Sequence, residues 1–209
     1  MKNWCLATAL ACACFASAVS AADMPVQGDP AAGQAKSAVC AACHGADGKA
    51  IQPAYPDLAG QHVAYLAKQL TDYRDGNRVN ALMSGQAANL SDTDILDISA
   101  YFASMTKHEN VASEDNLTLG MNIYRGGITA AGVAACAACH GPAGLGNPTA
   151  AWPVVSGQNA QYTADQLRYF RSGERANDPN GMMSGVAKRM TDEEIDAVAN
   201  YIAGLHATP

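Results

Sequence analysis

Two five-residue stretches carry the chemistry: Cys40-Ala41-Ala42-Cys43-His44 and Cys136-Ala137-Ala138-Cys139-His140. Cys-x-x-Cys-His is the attachment pattern of c-type haem. The thiols of Cys40 and Cys43, and of Cys136 and Cys139, are spaced to bond the two vinyl groups on one edge of a porphyrin. The histidine follows on the same turn, so the imidazole of His44 or His140 reaches the iron as proximal ligand. The tether holds that imidazole at high effective concentration. Two covalently bound haem c groups, each with its iron, are therefore expected. Zinc binding, thioredoxin-type redox chemistry and a plain disulfide are the competing uses of the motif. Zinc wants two such pairs brought together. A redox pair usually follows a strand of a βαβ unit, and no such pattern is visible. Two copies, each with its histidine, favour haem.

The repetition also narrows the second axial ligand. A haem that only carries electrons usually has both axial positions filled, and a methionine thioether opposite histidine raises the potential. A single methionine is more often core packing than ligand, but a shared function occupies equivalent positions. Met24 lies outside the repeat, Met105 matches Leu205, and Met190 matches Leu90. Met182 matches Leu82 and so reads as core. Met83 and Met183 are paired, as Met83-Ser84-Gly85 and Met183-Ser184-Gly185. Each is expected in a loop just before the last helix of its repeat, where it reaches the haem face opposite the histidine. Met182 in place of its neighbour is the alternative. His62 aligns with Asn159, His108 falls in a linker and His206 near the end; they read as surface or helix-end histidines. Tyr55 with Trp152, Tyr65 with Tyr162, and Arg74 with Arg171 recur in pairs. They are either core aromatics and solvated charges or, for some of them, donors to haem propionates, which need partners when partly buried.

The chain that positions these groups has 209 residues. Residues 1 to about 22 read as a secretory leader: Lys2, an apolar run from Trp4 to Val19, then small residues, with cleavage after Ala21 or Ala22. That run is too short to read as a spanning helix. Cys5, Cys12 and Cys14 leave with it, so of seven cysteines only the four in the haem motifs remain. Removing Lys2 from the 13 basic residues leaves 12 against 19 acidic ones, a balance of −7. Nucleic acid is not an expected partner of such a chain. An acidic surface suits docking to a basic partner.

Along the chain, Asp29-Pro30 predicts a helix start, with an Ala-rich helix running into Cys40. Gly45, Gly48, Pro53 and Pro56 mark a loop that wraps one haem edge. Gly60-Gln61 opens a helix from His62 to Asp75, with Tyr65, Leu66, Gln69, Leu70 and Tyr73 on one largely apolar face. Residues 77–90 read as loop. Ser91-Asp92-Thr93-Asp94 resembles a capping box, followed by a buried stripe of Ile95, Ile98, Phe102 and Met105. Residues 106–116 are polar and aperiodic, an interdomain linker.

From Leu117 the pattern repeats, with extra residues between Arg125 and Ala135. Ala54-Tyr55-Pro56 returns as Ala151-Trp152-Pro153, and Gly60-Gln61 as Gly157-Gln158. Tyr65, Gln69, Leu70, Arg74, Gly76, Arg78 and Asn80 return as Tyr162, Gln166, Leu167, Arg171, Gly173, Arg175 and Asn177. Asp178-Pro179-Asn180 is inserted, and Ser91–Asp94 then returns as Thr191–Glu194. A tandem duplication of one all-α haem domain follows, divided as 1–22 leader, 23–105 first domain, 106–116 linker and 117–209 second domain.

Two class I cytochrome c-like domains in tandem behind a leader resemble the cytochrome c4 family. The landmarks are Ala-Gly-Gln-Ala-Lys before the first motif, Pro-x-Leu-Ala-Gly-Gln at Pro56 to Gln61, Tyr-x-x-x-Gln-Leu at Tyr65 and Tyr162, and Met183-Ser184-Gly185-Val186-Ala187. They extend over nearly the whole mature chain. The resemblance implies ligand methionines at Met83 and Met183. It implies that the carbonyls of Pro56 and Pro153 accept the proximal imidazole N–H, and that the two haems meet near the domain interface, propionates inward. The expected function is a periplasmic electron carrier, not an enzyme, working from a membrane cytochrome complex towards a terminal oxidase. Peripheral association with the membrane face is compatible with that role. A dihaem subunit of a larger dehydrogenase is the alternative. A peroxidase-like dihaem enzyme needs an open iron site, which two matched methionines disfavour.

Overall fold

The computed structural model describes residues 28–206; the expected leader and its cleavage point lie outside them. The described residues form α-helices and short 3-10 turns with no strand, only isolated bridges at Ile128 with Val133 and Asn147 with Trp152. Residues 28–105 carry α1 (Pro30–Lys36), α2 (Ala41–His44), α3 (Val63–Arg74), α4 (Met83–Ala87) and α5 (Asp92–Ala103). The second repeat carries α6 (Leu117–Gly126), α7 (Ala137–His140), α8 (Ala160–Ser172), α9 (Met182–Ala187) and α10 (Asp192–Ala203).

Local chemistry sets the ends of these helices. The Asp29 carboxylate accepts from the N–H of Ala31 and Ala32, with Pro30 in the first helical position. Ser91 and Thr191 each close a reciprocal capping box, with Asp94 and Glu194. Three expectations are corrected. α1 stops at Lys36 instead of reaching Cys40, because Ser37 turns the chain and its hydroxyl donates to Gln34 O. Residues 77–90 are not all loop: α4 lies within them, its first turn started by Asn80 Oδ1, which accepts from Leu82 N and Met83 N. Five residues are too few for helical periodicity to show in the sequence. Met182, expected in the core, is 39% exposed, since it is the first residue of α9 and follows Gly181 in a left-handed turn.

In each repeat the first helix crosses the last at close range. Lys36 Nζ sits 2.7 Å from Asp94 Oδ1 and 2.8 Å from Asp97 Oδ2, tying α1 to α5. Gly33 and Gly120 stand at the two crossings, where a Cβ would fall 2.0 Å from Asp97 O and 2.1 Å from Ala197 O. The second repeat holds the larger core, including Ile123, Tyr124, Val133, Phe170, Ile195, Val198 and Ile202. Its extra residues after α6 are structural: Ile128 and Val133 bridge, and Val133 is buried in that core. In the first repeat Leu66, Ile98 and Phe102 form a smaller cluster, with Met105 packed against it.

Residues 106–116 run along the seam between the repeats as a fastened strap. Lys107 Nζ donates to Ser156 O, and His108 Nε2 donates to Asp47 O at 3.1 Å. Asn110 Nδ2 donates to Asp57 Oδ2 at 2.9 Å and Gly157 O at 2.7 Å. Asn200 Oδ1 accepts from Ser113 N.

Candidate haem sites

Each Cys-x-x-Cys-His stretch is a single helical turn, in which the His44 or His140 N–H bonds the carbonyl of Cys40 or Cys136 at 2.9 Å. That turn places the first thiol and the histidine one above the other. His44 Nδ1 lies 3.0 Å from Pro56 O, and His140 Nδ1 lies 3.1 Å from Pro153 O. A carbonyl only accepts, so both imidazoles carry their proton on Nδ1 and keep the Nε2 lone pair for a ligand. Both rings are buried, and burial holds their pKa below the ordinary histidine value, which keeps them neutral. Cys40, Cys43, Cys136 and Cys139 are not joined in disulfides. Burial pushes the Cys136 thiol up to about 11 and raises Cys40 as well. Among the described residues no three His, Cys, Asp or Glu side chains gather as a metal cluster, so the two pairs are not joined as a zinc knuckle requires.

Met83 opens α4 and Met183 is the second residue of α9; both are half-buried, and Met183 packs against the second core. Arg74 and Arg171 brace the backbone just before the last helices. Arg74 donates to Leu90 O and Asp92, and Arg171 to Met190 O and Asp192. Both guanidiniums are thus paired with carboxylates. His62 stands at a helix end as expected, directly before α3, and its Nε2 donates across the seam to Leu145 O at 2.7 Å; His108 is half-buried in the strap.

The buried cations are Arg78 and Arg175, 7% and 8% exposed. Arg78 donates to Gln69, Gln166 and Tyr162, and Arg175 to Gln166, Gln69, Tyr65 and Asn177. Every one of these acceptors is neutral. Burial would push the Tyr65 phenol up, but the Arg175 and Arg78 charges outweigh it and hold the group below its ordinary value. A buried charge is stable when an opposite charge joins it, and a haem propionate is such an anion. Cysteines outside any disulfide, imidazoles protonated on Nδ1, paired thioethers and buried guanidiniums are together the donor set that fits two haem c groups.

The cytochrome c family profile matches residues 30–106 and again 127–206. Cytochrome c4 of Pseudomonas aeruginosa is 47% identical over 180 residues, spanning 86% of this chain and 90% of that protein. The chain belongs to the cytochrome c4 family. The solved structure of reduced recombinant cytochrome c4 from Pseudomonas stutzeri matches with a TM-score of 0.83 at 43% identity, over 86% of this chain and 100% of that one. A relative from Stutzerimonas stutzeri named thiosulfate dehydrogenase electron acceptor is 41% identical over 170 residues, 79% of this chain and 78% of its own. As a cytochrome c4 chain with two cytochrome c segments, the protein binds two covalent haem c groups and transfers electrons; it is not an enzyme.

Two pairs of residues in this cytochrome c4 chain were not marked by motif reasoning. Gln61 and Gln158 read as helix openers, yet each reaches across the seam to the peptide unit whose carbonyl bonds His140 or His44 of the other repeat. Arg78 and Arg175 stood out only as residues that recur between the repeats. The signal available was recurrence itself: a polar residue kept at the same place in both copies, as Gln69 and Gln166 are within an otherwise apolar helix face.

Proposed function

We propose that this cytochrome c4 carries electrons in the periplasm, from a membrane cytochrome complex towards a terminal oxidase. In this reading Cys40 and Cys43 tether one haem and Cys136 and Cys139 the other. His44 and Met83 ligate the first iron, and His140 and Met183 the second. Pro56 and Pro153 orient the imidazoles, and Arg78 and Arg175 offset propionate charge. The working chain is 23–105 and 117–209 joined by 106–116, after loss of 1–22. Among the described residues no helix is long and apolar enough to cross a membrane.

Haem iron supplies a one-electron ferric/ferrous couple. The residues do the rest. The Pro56 and Pro153 carbonyls hold the imidazoles in one tautomer and orientation. A thioether ligand supplied by Met83 or Met183 would favour the reduced state. Ligands retained in both states keep reorganisation small. The observation that carries this reading is the doubling: imidazole, carbonyl partner and thioether occur twice at equivalent positions. Four large apolar side chains of the first repeat are open to solvent and so to a partner. Val39, Ile51, Val79 and Leu82 are 61%, 60%, 72% and 57% exposed. Their counterparts in the second repeat are Ala135, Asn147, Ala176 and Met182.

The test is an optical redox titration of the mature protein, following the α band together with the ferric methionine–iron charge-transfer band. Two one-electron steps at positive potential, with the methionine band present for both haems, support the ligand set. One haem at low potential without that band removes Met83 or Met183 from it. The relative named as a thiosulfate dehydrogenase electron acceptor supports a second reading, a carrier fed by a dehydrogenase. Stopped-flow mixing of the ferrous protein with oxidase-bearing membranes, and of the ferric protein with thiosulfate dehydrogenase and its substrate, separates the two.

A further inference from the structure

The peptide unit between Pro56 and Asp57 is hydrogen-bonded at both ends. Its carbonyl accepts from His44 Nδ1 at 3.0 Å, and its N–H donates across the seam to Gln158 Oε1 at 2.9 Å. The peptide unit between Pro153 and Val154 is its counterpart: the carbonyl accepts from His140 Nδ1 at 3.1 Å, and the N–H donates to Gln61 Oε1 at 2.9 Å. Each glutamine closes a second bond through Nε2, Gln158 to Asp57 O at 2.9 Å and Gln61 to Val154 O at 2.8 Å. A carboxamide paired with both a backbone N–H and a backbone C=O has one orientation, because only Oε1 accepts and only Nε2 donates. Asp57, Val154 and Gln61 are buried and Gln158 is half-buried, so water competes little for the Gln61 bonds and more for those of Gln158.

We propose that Gln158 tunes the haem tethered at Cys40 and Cys43, and Gln61 the haem tethered at Cys136 and Cys139, each from the opposite repeat through one peptide unit. The proposal rests on His44 and His140 being the proximal ligands. A peptide N–H that donates polarises its amide, and the carbonyl of that amide becomes a stronger acceptor. A stronger acceptor draws on the imidazole Nδ1–H and makes Nε2 more basic towards the iron. A more basic ligand favours the ferric state. Each glutamine therefore lowers the potential of the haem in the other repeat. These are positioning residues, since neither reaches the ring nitrogen it acts on. Glutamines that merely glued the repeats together would give the seam strength without addressing one particular haem.

The test uses the mature holoprotein with Gln158→Met, Gln61→Met and Gln158→Glu. Each haem's midpoint is followed through its own paramagnetically shifted methyl resonances, and each imidazole Nδ1–H through its proton resonance in the ferrous protein. Gln158→Met is expected to raise the ferrous-to-ferric ratio of the first haem about threefold at fixed poise. It also moves the His44 Nδ1–H resonance upfield and leaves the second haem unchanged. Gln61→Met does the converse. Gln158→Glu keeps an acceptor for the Asp57 N–H, and a carboxylate is the stronger one, so the His44 resonance moves downfield instead of upfield. Asn200→Ala, which loosens the strap at Ser113 and Asp115 without touching Asp57, Val154 or either glutamine, moves neither resonance. The proposal is overturned if each single substitution shifts both haems alike, as a loosened seam would, or if the Nδ1–H resonance of the opposite repeat stays put. If the unmodified protein shows no Nδ1–H with the ring-current shift of a haem-bound imidazole, the ligation itself fails, and the proposal with it.

Discussion

Two alanine substitutions in α6 separate close packing from helix propensity. A Cβ at Gly120 would stand 2.1 Å from Ala197 O and 2.9 Å from Tyr201 Cβ, where ordinary contact begins at 3.4 Å. To open that gap, α6 must back away from α10 by about 1.3 Å, a distance that loosens core packing. The displaced face carries Ile123 and Tyr124, both buried with Val198 and Ile202. Overpacking of this kind costs about 1–3 kcal/mol. The upper end applies, because the obstacle is backbone and cannot swing aside. Alanine returns about 1 kcal/mol of helix propensity over glycine. Gly120→Ala is therefore expected to destabilise by about 2 kcal/mol. Gly126 lies at the end of the same helix with nothing within 4 Å of the added carbon. Gly126→Ala is expected to stabilise by about 0.5 kcal/mol, the low end for an open helical site. The assay is guanidinium unfolding of the mature holoprotein, followed by far-UV circular dichroism. Equal stabilities for the two variants, or a Gly120→Ala protein as stable as the parent, would refute the close crossing of α6 over α10.

Three further outcomes are expected. Met83→Ala and Met183→Ala each abolish the ferric methionine–iron charge-transfer band of one haem and leave the other, whereas Met182→Ala leaves both; the near-infrared optical spectrum decides. Asp94, hydrogen-bonded to Lys36, has its pKa held down to about 2 against an ordinary 3.8. A depressed folded-state value stabilises the native chain fully above the ordinary value, and that contribution is lost as pH falls through the folded one. The stability difference between the parent and Asp94→Asn should thus be constant above pH 3.8 and close as pH approaches 2, measured by urea unfolding at stepped pH. Asn110→Ala leaves Asp57 Oδ2 and Gly157 O without their donor. It should cost about 1–3 kcal/mol, read from the shift in the urea midpoint.

The features that repeat were legible in the sequence. Duplicated Cys-x-x-Cys-His motifs, the capping boxes at Ser91 and Thr191, and the apolar stripe of Ile95, Ile98 and Phe102 are local patterns, and the helices formed where those patterns said. What stayed hidden depends on the distance between residues far apart in sequence. Nothing near Gln61 in the chain says that it bonds Val154, and nothing near Arg78 says that Tyr162 and Gln166 surround it. α4 escaped because five residues do not complete a period. Met182 misled because alignment with Leu82 suggested packing, whereas both stand at the exposed entry of a short helix. The strap at 106–116 has the composition of a loose linker, and its hydrogen bonds go to distant partners, the carbonyls of Asp47, Ser156 and Gly157 and the side chains of Asp57 and Asn200, that no local pattern reveals.

The seam has the logic of a symmetric dimer written into one chain. Gln61 reaches Val154 as Gln158 reaches Asp57, and Arg175 bonds Tyr65 and Gln69 as Arg78 bonds Tyr162 and Gln166. Such a contact, in which residue i meets j and the copy of j meets the copy of i, is isologous. One repeat therefore carries both halves of the interface, and duplication needs no new binding surface to bring two haem sites together. The departures from symmetry then matter most. Asn177 donates to Asp72 and Gln69, and Lys68 bonds both Asp72 and the Asn177 carbonyl. The counterpart of Asp72 is Tyr169, and that of Lys68 is Asp165. A buried carboxylate thus stands on one side of the seam only. With the same ligand types proposed on both irons, charge and burial around them become the terms that set the potentials apart.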